Sequence, residues 1–462
     1  MVVDRTKLPT LGPDPEFSLP LFQRVTLTND VRLWTAESHR SPVFSSLLVI
    51  PSGSAADPSA QLGLAALTAD LLDEGTDDRS AVEISEALSR IGGRLHTEVW
   101  SDATVLSLTT LARHATEGLA LLASIASRPR FDPAEFDRVR DLRQTRLLQM
   151  RQVPSAVADR VFIEALYGQH PYGHLSIGTE ESLGSLSVAD VADFHQQHYM
   201  PSDWTLIAVG DLPNAELVAA ADAAFGRLAW HSDFPKDDAP AAESALSAAS
   251  GRLFFVERPG AVQSEIRLGH VGAPRSSPDY HALLVLNMVL GGQFVSRINL
   301  NLRETKGYTY GARTGFDWRL GRGPFSLHVS VKTSATADAI SEAVKEITDI
   351  RDRRPVTDTE LALARAALTR GFPRGFETAA HLARAAMQLA FYKLPEDEFM
   401  RFVPRIDGID AIEVTRAAVT HLRPNELIAV IVGSRPDVFD SLTGLGFGKP
   451  VELINSAHAS RA

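Results

Sequence analysis

Short, almost wholly apolar runs recur along the chain and set its framework. Leu206-Ile-Ala-Val209 and Ala429-Val-Ile-Val432 are too short for a helix and too apolar for a surface strand. Both read as strands buried on two faces. Residues 31–34, 44–50, 253–256 and 266–269 read as further strands. Residues 188–197 and 409–420 carry helical patterns just before the two apolar runs. Asp57-Pro58 and Ser277-Pro278 each supply an N-terminal helix signal. The segments that follow are expected to stop near Gly75 and at Gly291-Gly292, because glycine accepts the left-handed backbone of a helix end.

The pattern occurs twice. His198-Tyr-Met-Pro201 precedes the first apolar run and Gly210, and His421-Leu-Arg-Pro424 precedes the second and Gly433. The offset stays at 223 from His198 to His421, from Pro201 to Pro424 and from Gly210 to Gly433. An ordered series without a gap points to internal duplication. Residues 232–251, rich in Ala, Ser, Asp and Pro, lack periodicity and read as a linker. The expected organisation is a first domain over 1–231, the linker, and a second domain over 252–462. Strands arrive in consecutive pairs as well as beside helices. This favours an α+β fold of two homologous domains, each a mostly antiparallel mixed sheet packed with helices.

Composition narrows the function. The net charge of −11, with no basic run interleaved with aromatics, argues against a nucleic-acid partner. The absence of cysteine removes disulfides, thiolate metal sites and cysteine nucleophiles together. No uninterrupted apolar stretch is long enough for a membrane span, and residues 1–20 lack the apolar core of a signal peptide. A cytoplasmic location is the expectation.

Several segments, taken in order, resemble the pitrilysin–insulinase–mitochondrial processing peptidase family. In the first half these are Gly53-Ser-Ala-Ala-Asp-Pro58, Gly63-Leu-Ala65, Glu74-Gly-Thr76, Ile91-Gly-Gly93, Asp102-Ala-Thr104, His170-Pro-Tyr-Gly173 and Val209-Gly-Asp211. In the second they are Pro259-Gly-Ala-Val-Gln-Ser264, Leu290-Gly-Gly292 and Leu302-Arg-Glu304 with Gly307 and Tyr310. The resemblance implies two domains that form half of a clamshell-like chamber for extended peptides. Active members carry His-x-x-Glu-His on the first long helix, where two histidines four apart hold zinc and the glutamate acts as general base. The matching positions here are Ala66, Ala69 and Asp70. A glutamate further along supplies the family's third ligand. Residues 136–163 contain no glutamate, and Arg146 lies about where it should be. The apolar stripe Leu64, Leu67, Thr68, Leu71 and Leu72 nevertheless keeps the helix amphipathic. No cofactor is therefore expected in this chain.

The second half retains more. By position, the family's arginine and tyrosine that reach the scissile peptide match Arg303 and Tyr310. A guanidinium and a phenol can donate hydrogen bonds to the carbonyl oxygen as it gains charge. Tyr308 is a competing phenol, on the same face as Tyr310 if residues 308–313 form a strand. The resemblance thus implies the non-zinc subunit of a heterodimeric metallopeptidase. It would bind extended peptide by strand addition, with a zinc-bearing paralogue as partner. A catalytically inactive structural or peptide-binding homologue is the alternative. His170 and His174 flank Pro171 and Gly173, so they read as turn residues rather than a helical metal pair. His195 and His198, near a helix end, read as partners of terminal carbonyls.

Overall fold

A computed structural model describes residues 17–199, 204–228 and 252–453; the expected linker and Pro201 of the repeat lie outside these. Two six-stranded sheets form the frame. The first contains β1 (Gln23–Thr26), β2 (Arg32–Glu37), β3 (Val43–Ile50), β4 (Arg94–Val99), β5 (Thr104–Leu111) and β6 (Thr205–Gly210). The second contains β7 (Leu253–Glu257), β8 (Gln263–Val271), β9 (Ala312–Phe316), β10 (Pro324–Lys332), β11 (Ile428–Gly433) and β12 (Val451–Leu453). In their spatial orders, β1-β2-β6-β3-β5-β4 and β12-β7-β11-β8-β10-β9, the five positions from β2 to β4 correspond to those from β7 to β9. In each sheet the last long strand (β6 or β11) inserts parallel to the first (β2 or β7) and antiparallel to the second (β3 or β8). Every residue of β6 and of β11 is buried, as their unbroken apolar sequences require. The outer edge departs from the repeat, since β1 pairs antiparallel to β2 while β12 pairs parallel to β7.

Each sheet is covered on one face by a helix from the other half of the chain. The helix Pro154–Tyr167 packs Val157, Val161, Phe162 and Leu166 against Val256 of β7 and Ile428, Val430 and Val432 of β11. The helix Ala379–Phe391 in turn packs Leu382, Ala386 and Leu389 against Trp34, Leu47, Val49 and Ile207 of the first sheet. Burying each large apolar side chain contributes roughly 1.5–3 kcal/mol, so this reciprocal exchange ties the halves together. Arg267 on β8, almost fully buried, adds hydrogen bonds to Asp159 Oδ1 at 2.6 Å and to the Ser155 carbonyl at 3.2 Å.

The first long helix is shorter than its pattern implied. Ser54–Ala56 is a single 3₁₀ turn, and the helix proper, α1, spans Leu64–Asp70. Asp57 does not open it by chain continuity. Its carboxylate caps it from outside, accepting from the backbone N–H of Gly63 and of Ala65 at 2.7 Å each. The second-half counterpart starts at Tyr280, two residues after Pro278, and widens into a π-helical turn over Met288–Gly292. The helical run Tyr280–Thr305 is long and apolar enough to cross a membrane by length and composition. Here Leu283, Leu286, Leu290, Ile298 and Leu302 pack it into the core beneath the second sheet.

Candidate functional site

Gly63 fixes where α1 begins. Its φ of +93° suits glycine, and a Cβ there would meet Gly178 Cα at 2.8 Å. That close approach seats α1 beside the segment Leu175–Ile177. The stripe predicted from the sequence is buried beneath the first sheet, so Ala66, Ala69 and Asp70 line the opposite side, a cavity of about 710 Å³. Its other wall is α2 (Pro133–Arg151), with Arg138, Arg143, Arg146 and Met150, and its floor is β4, with Leu95, His96, Thr97 and Val99.

The charges at this cavity are largely paired. Arg143 Nη1 bonds Asp70 Oδ2, and Arg143 Nη2 donates to the Ser176 carbonyl at 3.0 Å. Arg138 bonds both Glu74 and Glu135. Asp73 lacks a cation in contact; burial first, then the neighbouring Glu74, pushes its carboxyl up to about 6. Zinc does not fit these residues. Two methyl groups replace ligand and base, the remaining carboxylate is engaged by Arg143, and two further guanidinium groups line the walls. Among the described residues, no group of three His, Cys, Asp or Glu could hold a metal ion. Arg146 lines the cavity, and the cation bonded to Asp70 is Arg143, one turn earlier. Sequence reasoning missed it because the pair joins residues 73 apart.

In the second half, Arg303 lies in the π-helical segment Leu300–Thr305, its guanidinium 3.9 Å above the Phe294 ring and 3.1 Å from Glu304. Residues 308–311 do not form a strand, since β9 begins at Ala312. Tyr308 and Tyr310 consequently diverge. Tyr308 packs on the second core, with its OH 3.4 Å from Asp338, whereas Tyr310 is 92% exposed. Phe294, Val295 and Leu300 are exposed in the same region of the chain.

A smaller cavity of about 430 Å³ lies where the halves meet, lined by Trp100, Asp102, Trp318, Arg319, Phe391 and Tyr392 among others. Val99, Leu175 and Ser176 line both cavities, so together they follow β4 and the residue after it. Within the described sheet β4 pairs only with β5, leaving its other edge open. Asp102 joins the halves, accepting from Tyr172 Oη at 2.6 Å and from the Leu320 backbone N–H at 3.1 Å. Burial raises its carboxyl, and those two hydrogen bonds oppose the rise.

The histidines serve the framework. His170 Nδ1 accepts from the Tyr172 backbone N–H at 3.0 Å, and His174 bonds Asp57 at 3.0 Å. His195 Nε2 donates at 2.8 Å to Ala126, a terminal carbonyl of the neighbouring helix rather than its own; burial pulls this imidazole down to about 4.

Comparison with known proteins agrees with this geometry. Residues 32–180 match the model of the insulinase (peptidase family M16) domain, and residues 185–368 match that of the peptidase M16 inactive domain. An uncharacterized zinc protease of Mycobacterium tuberculosis is 25% identical over 385 residues, covering 82% of this chain and 86% of that protein. The crystal structure of a peptidase M16 inactive domain from Pseudomonas fluorescens shares the fold, with a TM-score of 0.80 and 24% identity. It covers 89% of this chain and 98% of its own. A protease from Helicobacter pylori also has a TM-score of 0.80, at 18% identity, covering 90% of this chain and 100% of its own.

Proposed function

The chain belongs to the M16 peptidase family, and from that premise we propose that it is the zinc-free subunit of a two-chain metallopeptidase. In this reading it holds extended peptide and completes the active site of a zinc-bearing paralogue. The observation that carries the reading is an asymmetry. In the first half Asp70, one of the positions matched to the family's zinc motif, is ion-paired to Arg143, while Tyr310 in the second half stands 92% exposed, with Arg303 seven residues before it in the chain. A tyrosine with no packing role in its own chain is available to another.

The chemistry follows from the donor set. As a scissile carbonyl becomes tetrahedral, its oxygen gains negative charge, which the Tyr310 hydroxyl and the Arg303 guanidinium stabilise by donating hydrogen bonds. Phe294 beneath Arg303 restricts the guanidinium and lowers the entropy of aiming it. The zinc and its bound water belong to the partner. The open edge of β4 provides backbone donors and acceptors to which a peptide can add as a further strand. Binding of this kind reads main chain first and leaves selectivity to the cavities alongside. A purely structural homologue gives no reason for Tyr310 to remain uncovered.

Mixing the purified chain with its zinc-bearing paralogue, neither active alone, is expected to produce hydrolysis of a quenched fluorescent peptide. Arg303→Ala combined with Tyr310→Phe lowers that rate by about 10²-fold or more. Full activity in that mixture would overturn the proposal.

A further inference from the structure

The cavity beneath α1 is large, lies along an open strand edge and does not suit zinc, so its unpaired groups indicate what it can hold. Asp70 is engaged by Arg143, and Glu74 by Arg138. His96 pairs with Glu98 at 3.3 Å. Asp73 remains, its carboxyl held up to about 6 by burial and then by Glu74, and it is the cavity carboxyl without an ion-pair partner among the described residues. On the basic side, Arg143 Nε is buried without a hydrogen-bond partner. Arg146 lies three residues on along α2, lines the same cavity, and forms no hydrogen bond or ion pair among the described residues. Residues three apart on a helix lie on one face, so both guanidinium groups border one space, and that of Arg146 is the one left to donate into it.

We infer that this cavity is a carboxylate-binding pocket, in which Arg146, beside the Arg143–Asp70 pair, receives an acidic side chain or the C-terminal carboxylate of an extended peptide lying along β4. A carboxylate accepts through two oxygens, and charge-assisted N–H···O bonds to a guanidinium are among the stronger polar contacts available. The ligand is a peptide rather than a bare ion for two reasons. A cavity of about 710 Å³ exceeds what a simple anion fills, and its floor is the strand whose edge is open to backbone. Bulk attraction cannot substitute for these donors, because the chain as a whole carries a net charge of −11. The inference rests on the peptide-binding part of the proposed function, but not on completion of a partner's active site.

Fluorescence anisotropy on the isolated chain tests it with four labelled peptides of one sequence. They carry an acidic side chain with an amidated end, a neutral side chain with a free C-terminal carboxylate, both carboxylates, or neither. At least one carboxylate-bearing form is expected to bind about tenfold more tightly than the neutral form, and which form does so identifies the source. Arg146→Gln is expected to abolish that preference while leaving neutral-peptide affinity and melting temperature unchanged; Arg146→Lys is expected to keep part of it. Equal binding of all four peptides, no binding by any, or a preference that survives Arg146→Gln would each overturn the inference. Completion of the partner's activity by Arg303 and Tyr310 is read separately, so either idea can fail while the other stands.

Discussion

The cavity beneath α1 and the surface around Tyr310 face opposite tasks with similar chemistry. In the first, Asp70 and Glu74 are matched by arginines of α2, while Asp73 and Arg146 have no ion-pair partner among the described residues. In the second, Arg303 is held over Phe294 but Tyr310 has no such support. The contrast teaches where to look for function in such a chain. Groups satisfied internally maintain the fold, and groups left unsatisfied are those available to a ligand or partner. Among the described residues no hydrogen bond or ion pair joins the two regions, so each can be perturbed separately.

Tyr310→Phe gives the largest expected effect. It removes one hydrogen-bond donor from the completed site, and the rate of the mixed enzyme should fall by about 10²-fold with no change in melting temperature. A large drop in melting temperature would instead make Tyr310 a structural residue and break the contrast. Asp73→Asn acts in the cavity. The Asp73 carboxyl titrates near 6 in the folded chain, above its ordinary 3.8, so the folded state binds its proton more tightly than the unfolded state does. The resulting penalty is present in full about a unit above pH 6 and fades as pH falls through 6 toward 4. Asn should therefore stabilise on the order of 2 kcal/mol at pH 7 and almost nothing below pH 4, as denaturant titrations at the two pH values would show.

Arg143→Ala leaves Asp70 and the Ser176 carbonyl without their donor. Since Asp70 keeps nearly half of its side-chain exposure, the loss should be about 1–2 kcal/mol, read as a lower urea midpoint. Tyr308→Phe should be the mildest. Its hydroxyl makes only a 3.4 Å contact with Asp338, so stability should shift by less than about 0.5 kcal/mol and the mixed enzyme should keep its rate. A loss of activity matching that of Tyr310→Phe would reassign the phenol.

Much of the frame was legible in local pattern. The runs 206–209 and 429–432 became β6 and β11, wholly buried, and the strand order repeats between the sheets. The stripe from Leu64 to Leu72 identified the buried side of α1, and thereby the side on which Ala66, Ala69 and Asp70 lie. The start of that helix was not legible, because Asp57 caps it across a six-residue loop held by the Gly63–Gly178 contact. The divergence of Tyr308 from Tyr310 was also hidden. It depends on β9 beginning only at Ala312, which the alternation of residues 308–313 does not reveal.

The sequence alone determined that Ala66 and Ala69 offer a metal no donor atom, because ligand chemistry belongs to side-chain identity and no fold can restore it. It determined the duplication too, since a constant offset of 223 survives only where two segments share one design. Tertiary structure decided which helix covers which sheet, that Arg143 pairs with Asp70, and that β4 offers the open edge. The physical reason is common to all three. Periodicity shows which face of an element is apolar, but the face it meets depends on segments far away in the chain, and only packing brings those together.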